Sequence, residues 1–150
     1  MIRIFLVLAG LAMTASLGAC STFEKPDNPL KIVAQADMAY SKGDYRSAEA
    51  LYARLVEIKG APYESYFRLG NIYARTKRVE KAVEMYKQAL KKKHDFSPAW
   101  RNLGVAYMRQ SMVALQESQK NLSKDDPLYI SNMRLIDGLA AIELHGSQDQ

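Results

Sequence analysis

The sequence has a single cysteine, Cys20, among its 150 residues. One thiol excludes both a disulfide within the chain and a thiolate metal cluster, because each needs at least two cysteines. The chain also has only two histidines, His94 and His145. Both lie near predicted helix ends, where an imidazole satisfies terminal carbonyls, so we interpret them as caps rather than as metal ligands.

The short motifs that mark common catalytic sites are also absent. There is no Gly-rich phosphate loop, no H-E-x-x-H, no G-x-S-x-G and no candidate Ser-His-Asp set. Asp125 and Asp126 resemble a carboxylate pair, but they precede Pro127, where N-caps and first-turn acids belong. We therefore expect a protein that is not an enzyme, with no cofactor, no metal and no small-molecule substrate.

Residues 1–19 have the pattern of a signal peptide. Arg3 supplies a short positive region, and an apolar run follows from Ile4 to Leu11. That run is too short to span a bilayer, which takes roughly 20 apolar residues. Small residues then precede Cys20, as signal peptidases require. The pattern predicts that residues 1–19 are removed.

The stretch "LGAC" that ends at Cys20 resembles the lipobox of bacterial lipoproteins. The resemblance implies acyl chains such as palmitate on Cys20, a lipidated tether over residues 20–28, and cleavage before the cysteine. Ser21 in place of Asp implies the outer membrane, with the domain on its periplasmic face. The alternative is an ordinary secreted protein with a chance cysteine near its cleavage site.

The charge of the mature chain is only mildly basic. Cleavage after residue 19 would remove one charged residue, Arg3. The mature chain would then have 20 basic and 16 acidic residues. That excess is too small to indicate a nucleic-acid partner. The basic residues concentrate between Arg75 and Lys93. They indicate either a solvated helix face, with Glu80 and Glu84 as partners, or contact with anionic lipid or an acidic partner.

The apolar residues recur at helical spacing, and strict alternation typical of strands is absent. Three predicted helix starts place a side-chain acceptor directly before a proline, at Asn28, Ser97 and Asp126. The sequence therefore predicts an all-α fold. Its last helix is predicted over residues 127–144, with a tail over residues 145–150.

Two stretches of ten residues, "YFRLGNIYAR" from Tyr66 and "WRNLGVAYMR" from Trp100, lie 34 positions apart. With Ala82 and Tyr86 downstream, their pattern resembles the tetratricopeptide repeat (TPR). The resemblance implies a superhelix of antiparallel helix pairs over residues 29–144, with two full repeats over 29–96, a degenerate third repeat and a C-terminal capping helix. The alternative is an ordinary helical bundle.

In the predicted repeats, small residues at Gly70 and Gly104 allow two helices of one repeat to cross closely. Around them, two sets of residues share one apolar face that stacking would bury. These sets are Tyr66, Leu69 and Tyr73 in the second repeat, and Trp100, Leu103 and Tyr107 in the third.

The third repeat departs from the pattern. Gln116 and Lys120 stand where Ala82 and Tyr86 would recur, and the turn position holds Ser111. Either a TPR turn still forms there, or the helix from Pro98 continues as one long element. The sequence leaves both possibilities open.

The resemblance implies a concave groove lined by the first helix of each repeat. It also implies a partner, another envelope protein or a peptide segment of it, extended or helical with some acidic residues. Val33 and Asp37 replace the Lys and Asn of chaperone-binding TPRs, which argues against that carboxylate clamp. Carried over by position, the groove residues are Asp37, Tyr40, Phe67, Asn71, Arg75, Arg101, Val105, Met108 and Arg109.

These features together predict a lipid-anchored periplasmic adaptor. The chain resembles small TPR lipoproteins that serve pilus or secretion-system assembly, including tight-adherence and pilotin-like proteins, and the resemblance implies such a role. The alternative is a scaffold for peptidoglycan or outer-membrane biogenesis enzymes.

Overall fold

The computed structural model describes residues 28–148, with side chains up to residue 142. The predicted signal peptide, Cys20, the tether up to residue 27 and the last two residues of the tail lie outside the described residues. Within them the chain is all-helical, which confirms the predicted fold class. The helices are α1 Pro29–Ser41, α2 Tyr45–Glu57, α3 Tyr63–Arg75, α4 Val79–Lys92, α5 Ser97–Gln119 and α6 Pro127–Gln148.

Each helix packs against the one before it, and α3 also contacts α5. This sequential packing is that of a TPR superhelix, in which every helix pair buries its apolar face against its neighbours. No helix among the described residues is long and apolar enough to cross a bilayer.

Two of the three predicted helix caps form as expected. The Leu30 N–H donates to Asn28 Oδ1 at 3.0 Å, and the Leu128 N–H donates to Asp126 Oδ1 at 2.7 Å. Each bond satisfies one of the four N–H groups that a helix start leaves without an intrahelical acceptor. The prediction for Ser97 is wrong, because α5 begins at Ser97 itself and Phe96 occupies the N-cap without a side-chain bond.

Both small and large apolar side chains make up the core, which consists of two clusters of buried residues. One cluster joins α1, α2 and α3, and the other joins α4 and α5. The largest side chains in the two clusters, Tyr52 and Tyr86, are 2% and 1% exposed. The remaining buried members are Ile32, Ala36, Ala48, Leu55, Leu69 and Ile72 in the first cluster, and Ala82, Val83, Ala89, Leu90, Ala99, Leu103 and Ala106 in the second.

The close helix crossing predicted at Gly70 is present. A Cβ placed on Gly70 would lie 2.7 Å from Tyr86 Cε1 and 3.3 Å from Met85 Cβ. Both contacts are shorter than ordinary van der Waals separation, and the Tyr86 ring is buried and cannot swing away. Gly70 is therefore required for α3 and α4 to approach each other.

The same prediction for Gly104 is wrong for the residues that the structure describes. Apart from its own helix, none of their heavy atoms lies within 4 Å of a Cβ placed there. The cause is the length of α5, since Lys120, the counterpart of Tyr86, is the C-cap of the same helix instead of facing Gly104 from another. Trp100 and Tyr107, predicted to be buried beside it, are 47% and 41% exposed.

The long α5 resolves the two possibilities for the third repeat in favour of one continuous helix of 23 residues. Helix α6 then folds back along it. Asn132 Nδ2 donates to Ser118 Oγ at 3.1 Å, and Gln119 Nε2 donates to the Tyr129 carbonyl at 3.2 Å. Helix α6 therefore covers α5 as the predicted C-terminal helix, and it continues to Gln148, four residues past its predicted end at Leu144.

The two glycines provide a matched test of the packing. We expect Gly70→Ala to lower the free energy of unfolding by about 1 kcal/mol or more, because overpacking costs roughly 1–3 kcal/mol and offsets the gain in helix propensity. We expect Gly104→Ala to raise it by about 0.5–1 kcal/mol, since only the propensity term remains. Urea denaturation followed by circular dichroism measures both. Equal effects of the two substitutions would contradict the close crossing at Gly70.

Candidate binding groove

A cavity of 1020 Å³ lies between α3 and α5, with the ends of α1 and α2 and one side of α4 completing its walls. It contains six of the nine residues that the sequence assigned to a groove: Tyr40, Asn71, Arg75, Arg101, Val105 and Arg109. The other residues that line it are Tyr45, Ala74, Lys77, Val79, Tyr86, Asn102, Ala106, Met112, Val113 and Gln116.

One stripe of α5 forms the longest wall. Arg101, Val105 and Arg109 are four residues apart, so they lie one above another on the same helix face. The wall continues through Met112 to Gln116, because α5 does not turn at Ser111. Sequence reasoning missed these last residues, because it left open whether a TPR turn forms at Ser111 or the helix continues past it.

A hydrogen-bonded network of Asn71, Tyr86 and Asn102 lines the inner part of the cavity. The Tyr86 hydroxyl donates to Asn71 Oδ1 at 2.9 Å, and Asn102 Nδ2 donates to the same oxygen at 2.8 Å. This oxygen accepts two bonds, which fixes the orientation of the Asn71 amide and leaves its NH₂ group to donate elsewhere. Burial raises the pKa of Tyr86 to about 12, so the hydroxyl stays protonated and remains a donor.

The electrostatics of the lining are one-sided. Four of its side chains are cationic, namely Arg75, Lys77, Arg101 and Arg109, and none of its side chains is a carboxylate. Arg109 Nη1 donates to the Ala74 carbonyl at 3.3 Å, which brings its guanidinium to the residue next to Arg75. Positive charge is therefore concentrated on a concave surface, where the surrounding walls strengthen its field.

Two tyrosines hold Arg75 at the rim. A hydrogen bond with the Tyr40 hydroxyl is the main cause that raises the pKa of Arg75. The guanidinium also lies over the Tyr45 ring, 5.8 Å from its centroid. A hydroxyl and an aromatic ring orient this cation without pairing it with a carboxylate.

The other three predicted groove residues lie outside the cavity lining. The Asp37 carboxylate accepts a hydrogen bond from the Tyr52 hydroxyl and so ties α1 to α2. Phe67 packs edge to face on Phe96, with ring centroids 4.9 Å apart, in the core between α3, α4 and α5. Met108 is half-buried on α5 but not in the cavity. Position within a repeat therefore identified a helix face, and packing decided which of its residues reach the cavity.

The match to known protein families covers this region. A family described as TPR repeat matches residues 70–111, from the middle of α3 through α4 to the middle of α5. This stretch is a TPR repeat. TPR repeats generally bind other proteins or peptides, and their domains are typically non-catalytic scaffolds. No curated protein matches the chain.

The basic residues of this TPR repeat mostly lie against tyrosine rings. Arg78 and Lys81 both lie over Tyr73, at 4.7 and 5.6 Å, and Lys92 lies 5.4 Å from the Tyr66 centroid. Arg78 also forms a two-armed ion pair with Glu49, and this hydrogen bond is the main cause that lowers the pKa of Glu49. Glu80 and Glu84, the predicted partners, are replaced in this role by tyrosines and by Glu49 of the preceding repeat.

The interpretation of the two histidines as helix caps can be compared with the structure only at His94. No group of three or more His, Cys, Asp or Glu comes together within the described part of the chain. The His94 ring packs edge to face on Trp100 at 5.4 Å, just past the Lys93 C-cap of α4. The side chain of His145 lies outside the described residues.

The raised pKa of Tyr86 predicts a pH-dependent stability. The folded domain favours the neutral phenol, so its contribution is complete below pH 10 and is lost as pH rises from 10 towards 12. The loss is on the order of 2–3 kcal/mol for this shift. We expect Tyr86→Phe to be less stable than the natural chain by about 1 kcal/mol at pH 8, because Asn71 loses a bond. That deficit should shrink or reverse by pH 11.

Urea denaturation at four values between pH 8 and pH 11 measures this trend. The control is Tyr107→Phe, which makes the same chemical change on a side chain that is 41% exposed. The free energy of unfolding of Tyr107→Phe should change with pH in the same way as that of the natural chain. A parallel course for Tyr86→Phe as well would show that Tyr86 ionises as freely in the folded domain as in the unfolded chain.

Proposed function

We propose that the chain is a non-enzymatic, lipid-anchored adaptor that holds a segment of another envelope protein at the periplasmic face of the outer membrane. The observation that carries the proposal is the groove of 1020 Å³ beside a TPR repeat. Its walls combine apolar, amide and cationic side chains, which suits a peptide segment with mixed side chains better than a small apolar molecule.

The dimensions of the groove support capture of a short extended segment. The wall from Arg101 to Gln116 spans 15 residue steps of α5, or about 22 Å at 1.5 Å per residue. An extended chain advances about 3.3 Å per residue, so roughly seven residues would follow this wall. The amides of Asn71 and Asn102 lie along it and can hydrogen-bond to the backbone of such a segment.

The anchor rests on the "LGAC" stretch and on the short distance from Cys20 to the first helix. Helix α1 begins at Pro29, so the tether is only residues 20–28. The eight residues that follow Cys20, residues 21–28, reach about 28 Å at most when extended. Two or more acyl chains on Cys20 would hold the domain stably, since each buried methylene contributes about 0.8 kcal/mol. The groove would therefore act close to the membrane surface.

Pilus or secretion-system assembly is the envelope process that we propose for this adaptor. Scaffolding of peptidoglycan or outer-membrane biogenesis enzymes is the alternative, and it uses the same groove. The identity of the captured protein decides between the two.

Site-specific photo-cross-linking in living cells tests the groove. A benzoylphenylalanine at Val105 should give discrete adducts with one envelope protein, because Val105 lies midway along the α5 wall. The same group at Lys91, which is exposed on α4 outside the groove, is the control and should give none. Adducts at Lys91 but not at Val105 would place the binding surface elsewhere. Mass spectrometry of the adduct then distinguishes an assembly component from a biogenesis enzyme.

The anchor has an independent test. Cys20→Ala should move the protein from the membrane fraction to the soluble fraction, because no thiol remains to be acylated. Incorporation of radiolabelled palmitate should disappear in the same variant. A protein that stays in the membrane fraction after this substitution would have to be held there by something other than acyl chains on Cys20.

A further inference from the structure

Helix α6 is apolar on more sides than its contact with α5 covers. Its residues 127–142 include only two charged side chains. A helix that is apolar all round is normally buried, and the last helix of a stacked array needs a polar outer side. Yet Leu128, Leu135 and Ile142 are 51%, 53% and 60% exposed. We infer that this side of α6 pairs with the α6 of a second copy of the chain, antiparallel and around a two-fold axis at Leu135.

The exposed apolar residues form one narrow stripe along α6. Leu128, Leu135 and Ile142 follow one another at intervals of seven residues, which is close to two helical turns, so they lie in line. Ser131 and Gly138 lie beside the stripe and are also exposed. Apart from its own helix, none of the described heavy atoms lies within 4 Å of a Cβ placed on Gly138. The described part of the chain therefore leaves room for another helix along this stripe.

The stripe is complementary to itself. Leu128 and Ile142 lie equally far from Leu135 along the chain, on opposite sides of it. An antiparallel pair with its two-fold axis at Leu135 therefore places Leu128 opposite the second copy's Ile142. It also places Ser131 opposite the second copy's Gly138, where two small residues allow the helices to approach closely. This reciprocity is what an interface between two identical surfaces requires.

The charged residues of α6 also suit such a pair. Arg134 and Asp137 are exposed, and neither forms an ion pair with another described residue. They are three residues apart and so are neighbours on the helix surface. A two-fold axis at Leu135 brings Arg134 to within one residue step of the level of the second copy's Asp137. Each copy thus contributes one positive and one negative group to the same edge of the pair, and opposite charges lie across from each other.

The size of the α6 face predicts a weak dimer. The helix has 22 residues, so its face is about 33 Å long and roughly 10 Å wide. The resulting area of about 330 Å² is below the roughly 800 Å² that each partner buries in a standard interface. Such a contact needs a high local concentration. Anchoring of several copies to one membrane, which is part of the proposed function, would provide it.

The composition of α6 favours a protein surface over a lipid surface. A helix that lies on a membrane typically has several Lys or Arg on its polar side and Trp or Phe on its apolar side. Residues 127–142 contain one Arg, no Lys, no Trp and no Phe. With one acidic residue as well, this segment has no net charge that would attract it to anionic lipid. Pairing with a second copy therefore explains the exposed stripe better than contact with a bilayer.

Disulfide cross-linking of the full chain in intact cells tests the pairing. Axes of packed helices lie about 8–10 Å apart and Cα atoms lie about 2.3 Å from each axis, so the Cα atoms at the two-fold axis would be about 4–5 Å apart. A disulfide spans such a separation. Leu135→Cys should therefore give a covalent dimer after mild oxidation.

Two controls measure chance contact. The natural chain, whose single cysteine is Cys20, gives the background, and Lys91→Cys on the exposed side of α4 should not exceed it. A dimer yield for Leu135→Cys no higher than that for Lys91→Cys would overturn the inference.

The antiparallel orientation is tested separately. Leu128→Cys alone should give no dimer above background, because its two cysteines would lie about 21 Å apart along the pair. Co-expression with a differently tagged Ile142→Cys chain should give a mixed dimer. A dimer of Leu128→Cys alone that is as abundant as the mixed one would show parallel or random contact, and the proposed pair would then be wrong.

Matched substitutions locate the interface. Leu135→Glu in both chains of the mixed pair places two like charges at the two-fold axis and should lower the yield of mixed dimer at least about fivefold. Leu30→Glu makes the same change on α1, where the side chain is 77% exposed, and should leave the yield within about twofold. Equal losses in both would contradict pairing through α6. Circular dichroism confirms that each variant retains its helices.

Vesicles containing phosphatidylglycerol distinguish the lipid alternative. If Leu135→Glu leaves the yield of mixed dimer unchanged and releases the chain from these vesicles, the stripe covers a lipid surface and the dimer is overturned. Binding of the natural chain and of Leu135→Glu to the vesicles should be equal if the stripe pairs with a second copy.

Discussion

The contact between Gly70 and the Tyr86 ring is the constraint on which the rest of the structure depends. It sets how closely α3 and α4 approach, because a single methyl group on Gly70 would meet the ring at 2.7 Å. The same tyrosine ends in a hydroxyl that bonds to Asn71 inside the groove. The packing of α3 on α4 and the lining of the groove are therefore linked through the side chain of Tyr86. A shift of α4 that eased the crossing would also move the amide network of Asn71 and Asn102.

The third repeat shows what happens when this constraint is absent. Lys120 occupies the position of Tyr86, so no aromatic ring returns to pack on Gly104, and the helix continues to Gln119. Trp100 and Tyr107 remain partly exposed as a result. The groove gains from the same departure, since Met112 and Gln116 extend its wall beyond the usual turn. The degenerate third repeat therefore forms one long helix, α5, which lines the groove and packs against α6.

The sequence predicted the helices and the Gly70 crossing because both depend on local spacing. Proline, N-cap and apolar residues at fixed intervals determine a helix start and a buried face, whatever packs there later. Gly104 and Phe67 could not be placed in this way. Whether a small residue is crowded, or an aromatic one faces the core instead of the groove, depends on which helix lies opposite. The facing helix comes from another part of the chain, so local spacing does not reveal it. For this reason six of the nine predicted groove residues line the cavity, whereas Asp37, Phe67 and Met108 do not.

Arg78 and Arg75 differ in the chemical type of the side chains that contact their guanidinium groups. Arg78 lies outside the groove and is paired with the Glu49 carboxylate, so its charge is neutralised by a structural contact. Arg75 lies at the groove rim and is held by the Tyr40 hydroxyl and the Tyr45 ring, which orient it without cancelling its charge. A cation that only stabilised the fold would be better served by a carboxylate, as Arg78 is. The phenol contacts instead orient Arg75 at the groove rim and leave its positive charge on the groove side without a carboxylate from these two partners.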